Sequence, residues 1–208
     1  PPTTSARFIT SPRSPSNPTR ARSNPARLSQ RRPMPYSIIY ANHYASPRAR
    51  PLTEEEREVR RLAYALKVPT PEALDIAAAA LAPLVDAAEE EGTTIVLMPI
   101  PASTGSIDAN RQLANAIAAE VGRRYPSRRV AVRATVGRMH PVESSCARRR
   151  RGERGLQPDD HAMIRVAGPL VATGTAFYFV DNIIARGSTI AAARQALGFG
   201  GAIVWAMA

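Results

Sequence analysis

The sequence is short of several things. Among 208 residues it has one cysteine, Cys146, one lysine, Lys67, and three histidines. A single cysteine excludes an internal disulfide and a multi-cysteine zinc site. No apolar run is long enough to span a membrane, so no membrane partner is expected. The start lacks the pattern of charged n-region, apolar h-region and cleavage site, so secretion is not indicated and a cytoplasmic location is the default. Acidic residues are missing before Glu54, whereas seven arginines lie in the first 33 residues. That imbalance produces much of the net charge of +11. It brings in nucleic acid as a rival partner. An arginine bias this complete also fits genomic base composition.

What is present is the composition of a soluble globular chain, 44% hydrophobic and 22% charged. Three regions separate. Residues 1–33 are rich in Pro, Ser, Thr and Arg with no hydrophobic period, and are expected to be disordered. Translation starting at Met34 would make them a mis-called extension; the rival is a basic arm that binds nucleic acid. Residues 34–92 hold a short strand within Tyr36–Tyr40 and two helices. One opens at a capping box, Thr53 to Glu56. The other opens at Thr70–Pro71 and runs toward Gly92, with Pro83 inside it. His43, in the loop between them and the strand, is given no role.

Residues 93–208 alternate strand and helix. Thr93–Met98 is a continuous apolar run, the mark of a doubly buried strand. A polar loop and the helix NRQLANAIAAEVGRR follow. Arg129–Thr135 alternates like a strand. Val136–Ala162 is a long polar stretch that holds Arg138, His140, Cys146, Arg148–Arg151, Arg154 and His161. Met163–Val166 reads as a short strand and Gly168–Gly174 as a turn. Phe177–Val180 is a buried strand with Asp181 and Asn182 at its expected end. Ile183–Gly187 is a loop, Ser188 opens the last helix, and Gly201–Met207 is a final strand. The fold class is α/β, a mainly parallel sheet flanked by helices.

The stretch FYFVDNIIARGST, Phe177–Thr189, places a carboxylate and an amide before a loop and a helix N-terminus. Such a helix end suits a phosphate. The stretch resembles the phosphoribosyl pyrophosphate (PRPP) motif of the type I phosphoribosyltransferases. Asp181 and Asn182 match its acidic pair; Gly187, Ser188 and Thr189 match the end of its phosphate loop. Two departures stand out. Asn182 replaces an acid, and Ala185 and Arg186 replace two threonines. The plain alternative is a strand–helix junction with Ser188 as N-cap. The sequence MPIP with Arg111 looks like the ComF competence branch of that family.

The resemblance covers roughly residues 93–208. It implies a Rossmann-like sheet and binding of PRPP with Mg²⁺. It also implies transfer of the phosphoribosyl group to a nitrogenous base, with release of pyrophosphate. Asp181 and Asn182 would hold ribose hydroxyls, and Asp181 would touch the metal. Ala185, Arg186, Gly187, Ser188 and Thr189 would hold the 5-phosphate. Ala102, Ser103 and Thr104 would form the pyrophosphate loop, against a plain polar connection with Asp108 as helix cap. Arg138, Arg148 and Arg149 would belong to a basic lid, against a solvated charge run or a nucleic-acid patch. Cys146, among arginines but without a base partner, reads as incidental; His140 and His161 could each meet a substrate. Residues 34–70 would form a hood over the base. The alternative function is a non-catalytic PRPP or nucleotide regulator, or a DNA-processing accessory. The expected partners are PRPP and a base, with a homodimer compatible.

Overall fold

A computed structural model of the chain describes residues 37–45, 50–167 and 173–208. The expectations for residues 1–33, for Met34 and for most of the Gly168–Gly174 turn lie outside these residues, as does the side chain of Cys146.

Five strands form one parallel sheet. In spatial order they are β1 (Ile38–His43), β7 (Gly201–Met207), β6 (Thr175–Ile184), β2 (Thr94–Pro99) and β3 (Arg129–Val132). The fold is therefore α/β, with the sheet covered on both faces. One face carries α1 (Glu54–Ala65), α2 (Pro71–Ala87) and α3 (Asp108–Arg124), packed on Ile95, Leu97, Val180 and Ile203. The other face carries α5 (Ser188–Leu197), packed through Ile190, Ala193 and Leu197 on Met98, Phe179 and Val204. Burial on both faces is why β2, β6 and β7 read as apolar runs instead of alternating. Each large core side chain, Phe179 and Leu97 among them at 0% exposure, contributes about 1.5–3 kcal/mol.

Local signals set the ends of the helices. Thr53 and Glu56 form a reciprocal capping box at α1, with Glu56 N–H donating to Thr53 Oγ1 at 3.2 Å. Thr70 caps α2, with Pro71 in its first turn. The helix runs through Pro83 and ends at Ala87, short of Gly92. Gly198, at φ +89°, closes α5 in a left-handed conformation that glycine adopts at no steric cost. That stops α5 before the expected Gly200–Gly201.

The central crossovers place the site. From β2, α3 leads outward to β3; from β6, α5 leads the other way to β7. Right-handed crossovers running in opposite directions put their helices on opposite faces. The chain therefore parts between β6 and β2, and a crevice opens at their carboxyl ends, where open α/β sheets bind ligands.

Three expectations need correction. The central strand does not stop at Val180. It runs to Ile184, because β7 continues to pair with it as far as Met207 after β2 has ended at Pro99. The strand over Arg129–Thr135 ends at Val132, since its pairing with β2 ends at Leu97. The polar stretch after it is not a bare loop. Val136–Arg138 (β4) pairs antiparallel with Met163–Arg165 (β5) as a ribbon apart from the main sheet. Ser144 caps a short helix, α4 (Ser145–Arg150), and Pro158–His161 forms a 3₁₀ turn. Among the described residues no helix is long and apolar enough to cross a membrane.

Candidate functional site

Asp181 stands on β6 one residue beyond the last rung shared with β2, Pro99 to Val180. Its Oδ1 accepts from the Asn182 N–H at 2.9 Å and from Asn110 Nδ2 at 3.2 Å. Asn110 is buried in the first turns of α3 and also donates to the Ile100 carbonyl at 2.8 Å. It thereby ties the end of β2 to the acid on β6. Burial pushes the Asp181 carboxyl up to about 6, against the lowering effects of the Asn182 amide, Asn110, Arg138 and Lys67.

Asn182 is engaged elsewhere. Its Nδ2 donates to the Ala63 carbonyl of α1 at 3.0 Å, and its Oδ1 accepts from the Ile183 N–H at 3.0 Å. The two side chains thus take backbone N–H groups where the β6–β7 register passes over Asn182. Asn182 lines the cleft, but both functional ends of its amide already serve to hold β6 and α1.

The phosphate-loop candidates form the start of α5. Gly187 is the N-cap at φ +73°, a left-handed conformation that glycine adopts freely. Ser188 is therefore not the cap but the first helical residue. The helix has no side-chain cap and no acid in its first turn. Its first turn faces a cavity of about 120 Å³ lined by Asp181, Ala185, Arg186, Gly187, Ser188 and Thr189, with Arg149 across from them. Unpaired N–H groups and the helix dipole make such a place favourable to an anion.

The stretch expected as a lid is folded against the loop after β2. Val142 N–H donates to the Ser103 carbonyl at 2.8 Å. Arg138 donates to the carbonyls of Ala102 at 2.7 Å, Pro101 at 3.3 Å and His161 at 2.6 Å. The same guanidinium lies 3.3 Å from His161 Nδ1. An arginine only donates, so Nδ1 accepts and the proton is on Nε2. Nε2–H then donates to Ser188 Oγ, 3.1 Å away. This leaves the Ser188 hydroxyl proton to point elsewhere. His161 is buried, and desolvation, with repulsion from Arg138, pushes its pKa down to about 4 against the pull of Asp160. With its proton on Nε2, the imidazole donates to Ser188 and does not accept from it.

Of the predicted residues, the fold gathers Asp181, Ala102, Ser103 and Arg138 around one cleft of about 430 Å³. Arg149 and Arg186 join Gly187–Thr189 at the smaller cavity beside it. Thr104 is exposed and does not line the cleft. Arg148 turns to Glu153, 3.3 Å away. Asp108 is the first residue of α3 and not its cap; Ser106 Oγ accepts the Asp108 N–H at 3.1 Å.

The sequence reading missed Asn110 and gave His161 no geometry. Asn110 carried a signal: it shares a helical stripe with Leu113, Ala114, Ile117 and Val121, so it is a polar residue on an apolar face. His161 carried none, because only tertiary folding brings it to Ser188. Among the described residues no cluster of three His, Cys, Asp or Glu could cage a metal ion. The cleft's one carboxylate, Asp181, fits a Mg²⁺ whose other ligands are phosphate oxygens and water. A comparison with protein-family models finds no match, and comparisons with curated proteins and with solved structures find none either.

Proposed function

We propose that the chain is a phosphoribosyltransferase-like protein that binds PRPP with Mg²⁺ and transfers its phosphoribosyl group to a nitrogenous base. One observation carries this reading: a half-buried carboxylate, Asp181, and a helix N-terminus without a side-chain cap, that of α5, share one cavity at the point where the sheet's crossovers diverge. A sugar phosphate needs those two groups side by side.

In the reaction the base nitrogen attacks the anomeric carbon and forms the C–N bond. The C–O bond to pyrophosphate breaks, pyrophosphate leaves with the electron pair, and the nitrogen gives its proton to water. Charge develops as an oxocarbenium-like ribose and an anionic leaving group, so positioning and electrostatics matter more than a strong base. Asp181 holds ribose hydroxyls. Gly187–Thr189 hold the 5-phosphate, with the Ser188 hydroxyl donating to it because His161 already donates to Ser188 Oγ. Arg138 keeps the Ala102 and Ser103 loop in place and presents positive charge toward the pyrophosphate. Mg²⁺ would be held on the protein side by Asp181 and would supply neutralising charge for the leaving group.

The test is binding followed by turnover. PRPP with Mg²⁺ at about 100 times its Kd stabilises the fold by about 2.7 kcal/mol, or about 5–10 °C for a chain this size. A panel of bases then reveals pyrophosphate release. A second reading, a sensor that binds PRPP without turnover, is favoured by the engagement of Asn182 with Ala63 and Ile183. Binding with no release under any base would select it. No shift with PRPP at millimolar concentration would end both.

A further inference from the structure

We infer that Arg138 and His161 are positioning residues that fix the Ser188 hydroxyl as a hydrogen-bond donor, which makes the start of α5 selective for a fully ionised phosphate monoester. The inference rests on the proposed PRPP reading only for the sugar that this phosphate carries.

The relay begins at Arg138. Its Nε, Nη1 and Nη2 donate to three backbone carbonyls, those of Ala102, His161 and Pro101. Carbonyls only accept, and the guanidinium is a rigid planar fork, so three such bonds fix its orientation. That orientation also brings Nη1 to 3.3 Å from His161 Nδ1. Nδ1 accepts, so the ring proton is on Nε2. At 3% exposure the ring is shut off from bulk solvent, and its protein neighbours set the tautomer. Burial, helped by the Arg138 charge and opposed by Asp160, keeps the ring neutral at neutral pH.

The backbone holds the ring in place. The 3₁₀ turn that carries His161 is docked along α5 at two points, His161 on Ser188 and Gln195 Nε2 donating to Asp159 Oδ1 at 3.1 Å. Ala162, the next residue, sits at φ +49°, the one non-glycine in the left-handed region among the described residues. That conformation is unfavourable for a residue with a Cβ. Here it turns the chain from the 3₁₀ turn into β5.

The relay ends at Ser188. A hydroxyl beside an imidazole either gives its proton to a bare nitrogen or accepts from a protonated one. Nε2–H donates to Ser188 Oγ at 3.1 Å, so the hydroxyl proton is turned away from His161. Among the described residues no acceptor is paired with it. Ser188 lines the cavity of about 120 Å³ together with Arg149 and Arg186, whose guanidiniums only donate. The unpaired N–H groups of the helix start are donors too. The acidic side chain of this cavity, Asp181, stands on β6. A phosphate monoester dianion presents oxygens that only accept, so it suits the α5 side, and hydroxyls of the same molecule suit Asp181. In the other tautomer Ser188 would donate to His161 and turn its lone pairs toward the anion.

Two measurements on the full chain test the relay. A long-range proton–nitrogen NMR spectrum of labelled protein reads the tautomer, with the His161 signals identified by their loss in His161→Gln. A proton on Nε2 and a bare Nδ1 at neutral pH are expected; a proton on Nδ1 overturns the inference. Calorimetry with ribose 5-phosphate, and with PRPP and Mg²⁺, then compares His161→Leu, His161→Gln, Ser188→Ala and the His161→Leu/Ser188→Ala pair. Ser188→Ala should weaken each ligand about tenfold, through loss of a donor to a charged group. His161→Leu should weaken each about fivefold although Ser188 is intact. His161→Gln, whose amide still donates to Ser188 Oγ, should stay within about twofold of the wild type. In the pair the His161 change should add nothing to the Ser188 change, because it acts through that hydroxyl. His161→Asn, whose amide stops short of Ser188, takes the place of the Leu variant if that one does not fold. Additive losses, or a Gln variant as weak as the Leu variant, overturn the inference. So does unchanged affinity in every variant, which leaves the PRPP reading standing. Failure of PRPP alone, with ribose 5-phosphate following the expected pattern, removes the PRPP reading and leaves the relay. Failure of both ligands to bind the wild type ends both.

Discussion

The chain builds the same unit twice, a buried strand, a loop and a helix, and finishes the two helix starts differently. At α3 the first turn carries its own acid, Asp108, which pairs with Arg111 at 2.5 Å, and the Ser106 hydroxyl accepts an N–H. The positive end of that helix is answered from within the chain. At α5, as at α3, the N-cap residue makes no side-chain bond, but here the first turn has no acid either, and Gly187 sets its start. The positive end of that helix faces a cavity that also exposes Asp181. A helix end satisfied by its own sequence is structural. One left open beside a half-buried carboxylate is available to something that comes from outside.

The largest test removes the acid that distinguishes the second unit. Asp181→Ala should lower PRPP affinity about a hundredfold, since it deletes charge-assisted hydrogen bonds to the ribose. Titration calorimetry reads this directly. The same substitution relieves a carboxylate whose ionised form is penalised by desolvation, so the unliganded fold should not lose stability at neutral pH. An unchanged affinity would mean that the two units do not differ in function.

A second change makes the units alike. Ser188→Asp gives α5 the first-turn acid that α3 already has. It should stabilise the unliganded fold by about 0.3–1 kcal/mol through the helix dipole. His161 Nε2–H, 3.1 Å from the present Ser188 Oγ, would still have an acceptor there. The new charge should lower phosphate-dependent binding by at least about tenfold through repulsion. Thermal melts and PRPP titration on the same sample read both, and a rise in Tm together with loss of ligand is the expected pair.

The resemblance of this region to a PRPP motif was legible because its signals are local: an apolar run, an acid, a glycine and a helix former. So were the capping box at Thr53 and Glu56 and the final strand, which needed no tertiary knowledge. The end of β6 was not legible. Asp181 and Asn182 look like a strand terminus, and only the length of β7 keeps them in register. Nor was the engagement of Asn182 with Ala63, which joins residues 119 apart in sequence. The folding of Val136–Ala162 onto the β2 loop was hidden for a related reason. Its anchors are backbone carbonyls of residues 101–103, and carbonyls leave no mark in a sequence.

A smaller effect separates the acid from the histidine across the cleft. Asp181 is raised from 3.8 to about 6, so between those values the folded chain keeps a proton that the unfolded chain has lost. Acidification through that window stabilises the fold. His161 is lowered from 6.5 to about 4, so there the unfolded chain takes a proton that the folded chain refuses. Acidification through that window destabilises it. The two slopes oppose each other in the wild type. Asp181→Asn should leave a fold that weakens relative to the wild type as pH falls from about 6 to 3.8. His161→Gln should leave one that strengthens relative to it as pH falls from 6.5 to about 4. Denaturant melts across this range read the differences, in which groups common to all three chains cancel. On the proposed reading the ionised acid holds the ribose, so PRPP binding should strengthen as pH rises through about 6.

The smallest expected effect falls on the unit held to be structural. Asp108→Asn removes the first-turn acid of α3 and its pairing with Arg111 while keeping a side chain of the same shape. The pair is exposed, so its own contribution is slight, and the loss at the helix end is about 0.3–1 kcal/mol. Ser106 Oγ remains to accept the N–H of residue 108. PRPP affinity should be unaltered, because the cleft is reached from α3 through Asn110, whose bonds to Ile100 and Asp181 do not involve residue 108. A Tm lowered by a few degrees with unchanged titration curves keeps α3 in its structural role. A gain or loss of ligand affinity in this variant would mean that the α3 start also meets the ligand. The contrast between the two helix starts would then be one of degree.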